Sequence, residues 1–175
     1  MTFDDTVRRI AIRQRGRAVP IRSGGRASPS AVELRPATSD ELVRAFRLMQ
    51  SNMRESMTEA NMEWDQDWTE RNYRSKSNYS IFLQSDWKGF LSIEYIRSVL
   101  YIHTLQLTAQ SQGRIFGASV FDWLLGQASA NGATSIECKA FRSSPVLRLY
   151  QKLGFRIVGE DKALVSLALA LGGGR

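Results

Sequence analysis

The chain has 175 residues, 43% of them hydrophobic, which is enough for one buried core and short for two ordinary domains. Its apolar runs are far shorter than the ~20 residues that cross a bilayer. Its single cysteine and single histidine exclude an internal disulfide and a Cys/His zinc cluster. The net charge is +7, but +5 of it lies in residues 1–30, so the nearly neutral body argues against a nucleic-acid partner. We expect a cytoplasmic protein with no metal and no membrane partner.

The basic segment 1–30 contains seven arginines and two aspartates. It is rich in Gly, Ser and Arg and has no sustained apolar periodicity, so we predict a disordered N-terminal tail. A polyanion-binding arm and a targeting segment are the alternatives. The folded domain is predicted over residues 31–171, and the Gly-Gly-Gly-Arg end, residues 172–175, is predicted to be flexible.

The first half of the predicted domain begins with a strand. Residues 32–36 alternate in polarity and end at a proline, which cannot continue a strand ladder. A capping-box pattern then precedes an apolar stripe, which predicts a helix over about 40–56, and a second helix follows over about 68–75. Two strands, over 79–84 and 88–96, flank a compact hairpin connection.

The second half alternates strands and helices. A strand over 99–107 leads through a polar loop into a helix over 116–130 that ends at Asn-Gly. The remaining predicted elements are a strand over 135–141, a short helix from Pro145 to Gly154, and strands over 155–158 and 164–169. This order predicts an α/β (α+β) domain in which helices cover a central twisted sheet.

Two segments carry a resemblance to a known family. Residues 144–155, Ser-Pro-Val-Leu-Arg-Leu-Tyr-Gln-Lys-Leu-Gly-Phe, resemble the Asn-Pro-x-x-x-Leu-Tyr-x-Lys-x-Gly-Phe segment of the GNAT superfamily of N-acetyltransferases. Residues 112–118, Gln-Gly-Arg-Ile-Phe-Gly-Ala, resemble that family's pyrophosphate loop, Gln/Arg-x-x-Gly-x-Gly/Ala, with Ile115 in place of the first glycine. The resemblance covers about 32–171. It implies the GNAT fold, a mixed, mostly antiparallel sheet of six or seven strands flanked by about four helices.

The resemblance also implies acetyl-CoA as co-substrate, bound mainly through the backbone. A loop that leads into a helix N-terminus suits a pyrophosphate, because backbone N–H groups and the helix dipole attract an anion. By resemblance, the co-substrate contacts are Leu105, Gln106, Leu107, Gln112, Gly113, Arg114, Ile115, Phe116, Gly117, Ala118, Ser119 and Ser144.

Acetyl transfer needs a proton acceptor for the amine and a proton donor for the departing thiolate. Tyr150 occupies the position of the family's tyrosine near the thioester sulfur and is implied to be the donor; the alternative is a packed ring with its hydroxyl at the surface. Tyr101 stands where some family members carry a glutamate base. His103, two residues on, should point to the same face of an extended strand and is the candidate acceptor. A purely packed histidine and a water relay are the alternatives.

Residues 55–70 suggest where the amine that accepts the acetyl group would bind. They contain six acids, two tryptophans and no Lys or Arg. By resemblance this region borders the acceptor groove, so Glu59, Trp64 and Tyr101 are implied to contact an ammonium-bearing acceptor. A solvated acidic helix face is the alternative. The predicted function is acetyl transfer from acetyl-CoA to a primary amine of a small molecule or peptide by direct attack. A non-catalytic acyl-CoA binder is the second hypothesis, and a homodimer is compatible with either.

Overall fold

The computed structural model describes residues 32–112 and 114–172, so the predicted N-terminal tail and the last three residues lie outside the described residues. No helix of the described part is long and apolar enough to cross a membrane. The strands are β1 (Val32–Pro36), β2 (Ser77–Leu83), β3 (Asp86–Ile96), β4 (Val99–Leu107), β5 (Ser135–Phe141), β6 (Arg156–Asp161) and β7 (Leu164–Ala170). The helices are α1 (Ser39–Glu59), α2 (Gln66–Arg74), α3 (Arg114–Ala130) and α4 (Val146–Lys152).

The seven strands form one sheet in the order β1-β2-β3-β4-β5-β7-β6. Strands β4 and β5 pair in parallel, and the other neighbours pair antiparallel. The parallel pair is joined through α3, as a parallel connection requires a crossover. The predicted mixed, mostly antiparallel sheet with four helices is therefore confirmed.

Helix α1 continues to Glu59 and α2 begins at Gln66, two or three residues beyond the predicted boundaries, and the other differences lie at turns and at the start of α3. The hairpin between β2 and β3 turns at Gln84 and Ser85, with φ of 50° and 71°, so Asp86 and Trp87 belong to β3 and not to the connection. The last hairpin turns at Lys162, with φ of 51°, and β6 continues to Asp161. Helix α3 begins at Arg114, two residues before its predicted start. These turns use positive φ at residues other than glycine, which a sequence pattern does not signal.

Helix α1 is anchored to the sheet through its first turn. The Thr38 side chain accepts a hydrogen bond from the Glu41 N–H, and the Glu41 carboxylate accepts one from the Thr38 N–H, which completes the predicted capping box. The same carboxylate accepts hydrogen bonds from Arg35 of β1 (2.7 Å) and from Ser80 of β2 (3.0 Å). One side chain thus caps the helix and ties it to two strands.

The core lies on both faces of the sheet. On one face, α3 and α4 cover the inward residues of the central strands, including Ile81, Leu91 and Ile102. On the other face, α1 and α2 cover a separate cluster that contains Phe46 and Phe90. Because neighbouring residues of a strand point to opposite faces, both sides of the central strands are buried.

Gly89 of β3 is required by close packing against β4. A Cβ atom at this position would collide with the Gln106 backbone oxygen, and that oxygen cannot move without shifting β4. Gly126 of α3 is the opposite case, since a Cβ there would meet no atom within 4 Å. We expect Gly89→Ala to lower the free energy of unfolding by about 1–3 kcal/mol. The matched Gly126→Ala variant should raise it by about 0.5–1 kcal/mol.

Urea unfolding followed by tryptophan fluorescence measures both changes. Equal, small effects of the two substitutions would contradict the assigned contact between β3 and β4.

Candidate active site

A cleft opens where two neighbouring strands separate. Strands β4 and β5 pair only over Val99–Ile102 and Ser135–Cys138. Beyond that point β4 stays paired with β3, and β5 stays paired with β7. The opening holds a cavity of about 580 Å³, with walls from α1, α2, β3, β4, β5 and α4. Each of the two strands is thus held in place by its other neighbour.

The predicted co-substrate residues fall into three groups. Those that line the cavity are Leu105, Gln106, Leu107, Gln112, Gly117 and Ser144. Ala118 and Ser119 lie in the first two turns of α3, which also contain the backbone of Arg114, Ile115 and Phe116. Gly113 lies outside the described residues. Ile115 therefore has a helical backbone, and this position needs no positive φ.

Hydrogen bonds fix the end of β4 and the segment that leads from β4 to α3, beside the cleft. The Gln112 amide donates to the Leu107 carbonyl oxygen (3.2 Å), and Asn52 of α1 donates to the same oxygen and to the Gln106 side chain, both at 3.0 Å. The Thr108 N–H donates to the Lys88 carbonyl oxygen (2.9 Å). The end of β4 is thus bound to α1 and to β3.

Tyr101 and His103 lie together on the α1–α2 side of the cleft. Their ring centroids are 4.9 Å apart, and both residues line the cavity. The register of β3 and β4 shifts between Ser92 and Ile93, which leaves His103 without an opposite residue. Such a bulge increases the local twist and redirects the side chain. The contact between the two rings confirms the expectation that Tyr101 and His103 share a face.

Next to His103 lies a carboxylate that sequence reasoning missed. His103 Nε2 is 2.9 Å from Glu94 Oε2, and Lys76 Nζ is 2.7 Å from the same oxygen. The hydrogen bond with His103 and the pairing with Lys76 lower the pKa of Glu94 to about 2 despite its partial burial. Glu94 is therefore ionised at neutral pH. A usable signal existed, because counting back from the Arg97-Ser98 turn places Glu94 opposite Tyr101.

Tyr150 lies in the cluster covered by α3 and α4. It is buried, its ring packs against Phe155 with a centroid distance of 5.1 Å, and it lines the cavity. Burial and the hydrogen-bonded Cys138 thiol raise the pKa of Tyr150 above its ordinary value. Burial first, and Glu137 second, raise the pKa of Cys138 to about 12. The hydroxyl is thus inside the protein and protonated, which excludes the surface-hydroxyl alternative, and Cys138 is a neutral core thiol.

Two predicted acceptor residues are not brought into the cleft. Glu59 is exposed at the C-terminal end of α1, and Trp64 packs between two apolar clusters while its Nε1–H donates to Gln66 at 2.9 Å. In the described part of the chain, the members of the 55–70 segment that do line the cavity are Glu55, Ser56 and Trp68. Position along α1 explains the difference: Glu55 lies beside Asn52 and Ser56 at the cavity, whereas Glu59 lies one turn further along, at the last residue of α1 and beyond the cavity.

Neither a protein-family model nor a curated protein matches this sequence, but solved structures do. The PaiA N-acetyltransferase of Thermoplasma acidophilum, solved in complex with coenzyme A, has a TM-score of 0.66 at 13% identity, over 81% of this chain and 99% of that one. The chain has the GNAT fold.

Two further structures agree with the GNAT fold. The IAA acetyltransferase of Bacillus cereus has a TM-score of 0.64 at 17% identity, over 81% of this chain and 100% of that one. An acetyltransferase of Bacillus subtilis in complex with CoA has a TM-score of 0.57 at 22% identity, over 81% and 99%. At these identities the likeness establishes the fold, and the activity is argued from the cleft.

The ionised Glu94 should contribute to stability in a pH-dependent way. Its pKa falls from 4.5 to about 2 on folding. The contribution is therefore complete above about pH 4.5 and is lost as the pH falls towards 2. We expect the stability difference between wild type and Glu94→Gln to be largest near pH 5 and to shrink steadily below it. Urea unfolding at several pH values measures this difference.

Glu160→Gln is the matched control, since its ion pair with Arg142 has both side chains 51% exposed and should contribute little at any pH. A Glu94→Gln difference that does not change with pH would contradict the assigned charge state.

Proposed function

We propose that this protein is an acetyl-CoA-dependent N-acetyltransferase that acts on a primary amine by direct attack in a ternary complex, with residues 31–171 as the catalytic domain. One observation carries the proposal. The cleft between β4 and β5 has a buried phenol, Tyr150, on one side and an imidazole, His103, hydrogen-bonded to the Glu94 carboxylate on the other. These are the two proton-handling groups that acyl transfer to an amine requires.

The residues of the cleft fit an acyl-CoA. In the described part of the chain no residue pair joins β4 to β5 beyond Ile102, so the backbone of Leu105–Leu107 faces the opening and can pair with the amides of a pantetheine arm. The adjoining start of α3 supplies helix N-terminal N–H groups and a positive dipole end for the pyrophosphate. Gly117, in that first part of α3, lines the same cavity. When bound, acetyl-CoA supplies the activated acetyl thioester.

The residues of this chain would then act on protons. As the amine nitrogen bonds to the acetyl carbon, its proton passes to His103, and the bond from carbon to sulfur breaks. Tyr150 donates a hydrogen bond to the departing sulfur. Since its pKa is raised above that of a thiol, this hydrogen bond stabilises the developing charge, and complete proton transfer is not required.

The acceptor side of the cleft favours an ammonium-bearing small molecule or peptide. Glu55 supplies a negative charge and Trp68 an indole ring at the α1–α2 wall, and both attract a cation. The ammonium must release one proton to solvent before it attacks, and the proton that leaves as the carbon–nitrogen bond forms passes to His103 on the same side of the sheet.

Thermal unfolding with acetyl-CoA tests the binding part of the proposal. Ligand at about 100 times its Kd adds about 2.7 kcal/mol, which is roughly 5–10 °C for a chain of this size. An unrelated nucleotide at the same concentration should give no such shift. Release of free thiol in the presence of a panel of amines then tests catalysis. A selective shift without turnover of any amine would favour the non-catalytic acyl-CoA binder, and no selective shift would end the proposal.

The role of Tyr150 predicts a specific kinetic change. Tyr150→Phe removes the hydroxyl and little volume, so kcat should fall by roughly ten- to a hundredfold while the affinity for acetyl-CoA changes little. Tyr79→Phe is the matched control, because Tyr79 is also buried, packs against Trp123 at 4.9 Å, and lies outside the cavity lining. Steady-state kinetics and calorimetric titration measure the two effects. Unchanged turnover in Tyr150→Phe would remove Tyr150 from the mechanism.

A further inference from the structure

One carboxylate oxygen joins three side chains that come from three parts of the fold. Glu94 belongs to β3, Lys76 is the residue before β2, and His103 lies at the bulge of β4. Glu94 Oε2 is 2.7 Å from Lys76 Nζ and 2.9 Å from His103 Nε2. The side chains of Lys76, Glu94 and His103 are 11%, 30% and 10% exposed. All three residues line the cleft.

This arrangement fixes the histidine tautomer. An ionised carboxylate can only accept a hydrogen bond, and the pKa of Glu94 is about 2. The His103 nitrogen that faces it must therefore carry a proton. In the neutral imidazole the other nitrogen then holds the lone pair.

We propose that Lys76 and Glu94 are positioning residues that hold neutral His103 as the Nε2–H tautomer, so that Nδ1 is the atom that takes the proton from the acceptor amine. The tautomer rests on the contacts of Glu94 with His103 and Lys76 and on the negative charge of Glu94, whereas the role of Nδ1 rests on the proposed acetyltransferase function. The proton balance is complete: the amine loses a proton, Nδ1 gains it, and the resulting imidazolium lies against the Glu94 carboxylate.

The two charged partners should act on His103 in opposite directions. A carboxylate stabilises the imidazolium and raises the histidine pKa, while an ammonium nearby lowers it. The remaining titratable groups that line the cleft are four tyrosines, Tyr73, Tyr95, Tyr101 and Tyr150, together with Cys138 and Lys139 of β5 and Glu55 of α1. Burial raises the pKa of the four tyrosines and of Cys138, so these five stay neutral where histidine titrates. Glu55 and Lys139 carry opposite charges, and neither pairs with the imidazole.

Because the chain contains one histidine, tag-free protein labelled with ¹⁵N-histidine reports on this site alone. Long-range ¹H–¹⁵N correlation spectra distinguish the two neutral tautomers and give the titration midpoint without any enzymatic activity. We expect the Nε2–H tautomer in the wild type. The Nδ1–H tautomer, or an even mixture, would overturn the proposal even in a protein that proves to be an active enzyme.

The same spectra measure the effect of each partner. Glu94→Gln should lower the His103 midpoint by about one pH unit, and Lys76→Met should raise it by a similar amount. Glu94→Asp, which keeps the negative charge, should leave the His103 midpoint close to its wild-type value. The exposed pair of Asp86 and Lys88, 3.1 Å apart, supplies the controls Asp86→Asn and Lys88→Met, which should leave the midpoint unchanged. Shifts of the same sign in Glu94→Gln and Lys76→Met would contradict the proposal.

The kinetic arm tests the role of Nδ1. The acidic limb of the profile of kcat/KM against pH should move with the NMR midpoint, downward in Glu94→Gln and upward in Lys76→Met, and should be lost in His103→Ala. A limb that stays in place while the midpoint moves would show that His103 is not the base. If no amine is acetylated, the proposed function fails, but the tautomer and the opposite shifts are still decided by the spectra.

Discussion

The separation of β4 from β5 after Ile102 is the constraint on which the rest of the site depends. Each of these strands keeps its antiparallel partner on the far side, so backbone hydrogen bonds hold both walls in place while the gap stays open. A sheet normally isolates its two faces from each other. Here the gap connects them, and it brings groups from two separate apolar clusters to one cavity.

Two local irregularities in the pairing of β3 with β4 shape the wall of this cavity. The bulge leaves His103 without an opposite residue, and its ring lies next to Tyr101 and Glu94. At the other end of the pair, Gly89 lets β3 approach the Gln106 backbone more closely than any side chain would permit. Both features act on β4, one of the two strands that border the gap, so small backbone changes in β3 and β4 alter the cleft directly.

The two sides of the cleft provide different electrostatic environments. Tyr150 is buried beside a neutral thiol, where burial favours the protonated phenol. His103 lies beside the ionised carboxylate of Glu94, which also forms an ion pair with Lys76. A proton donor must keep its proton until the reaction needs it, and a proton acceptor must be able to stabilise the charge it gains. Placing the two groups on opposite sides of the sheet lets each requirement be met separately.

The sequence by itself determined the number, type and order of the elements, since alternation in strands and the helical stripe depend on residues only a few positions apart. It also indicated the face shared by Tyr101 and His103, because strand geometry is local. It indicated the hairpin between β2 and β3 but not that the turn lies at Gln84 and Ser85, where neither residue is a glycine or an asparagine that would mark positive φ.

Tertiary structure alone decided which side chains meet. Lys76 and His103 reach Glu94 through the packing of α2 and the pairing of three strands, and Trp64 turns into the core while Trp68 lines the cleft. The hairpin of β3 and β4 makes the approach of Glu94 to His103 local, but the approach of Lys76 and the different positions of the two tryptophans depend on contacts between elements further apart in the chain, which no short-range pattern encodes.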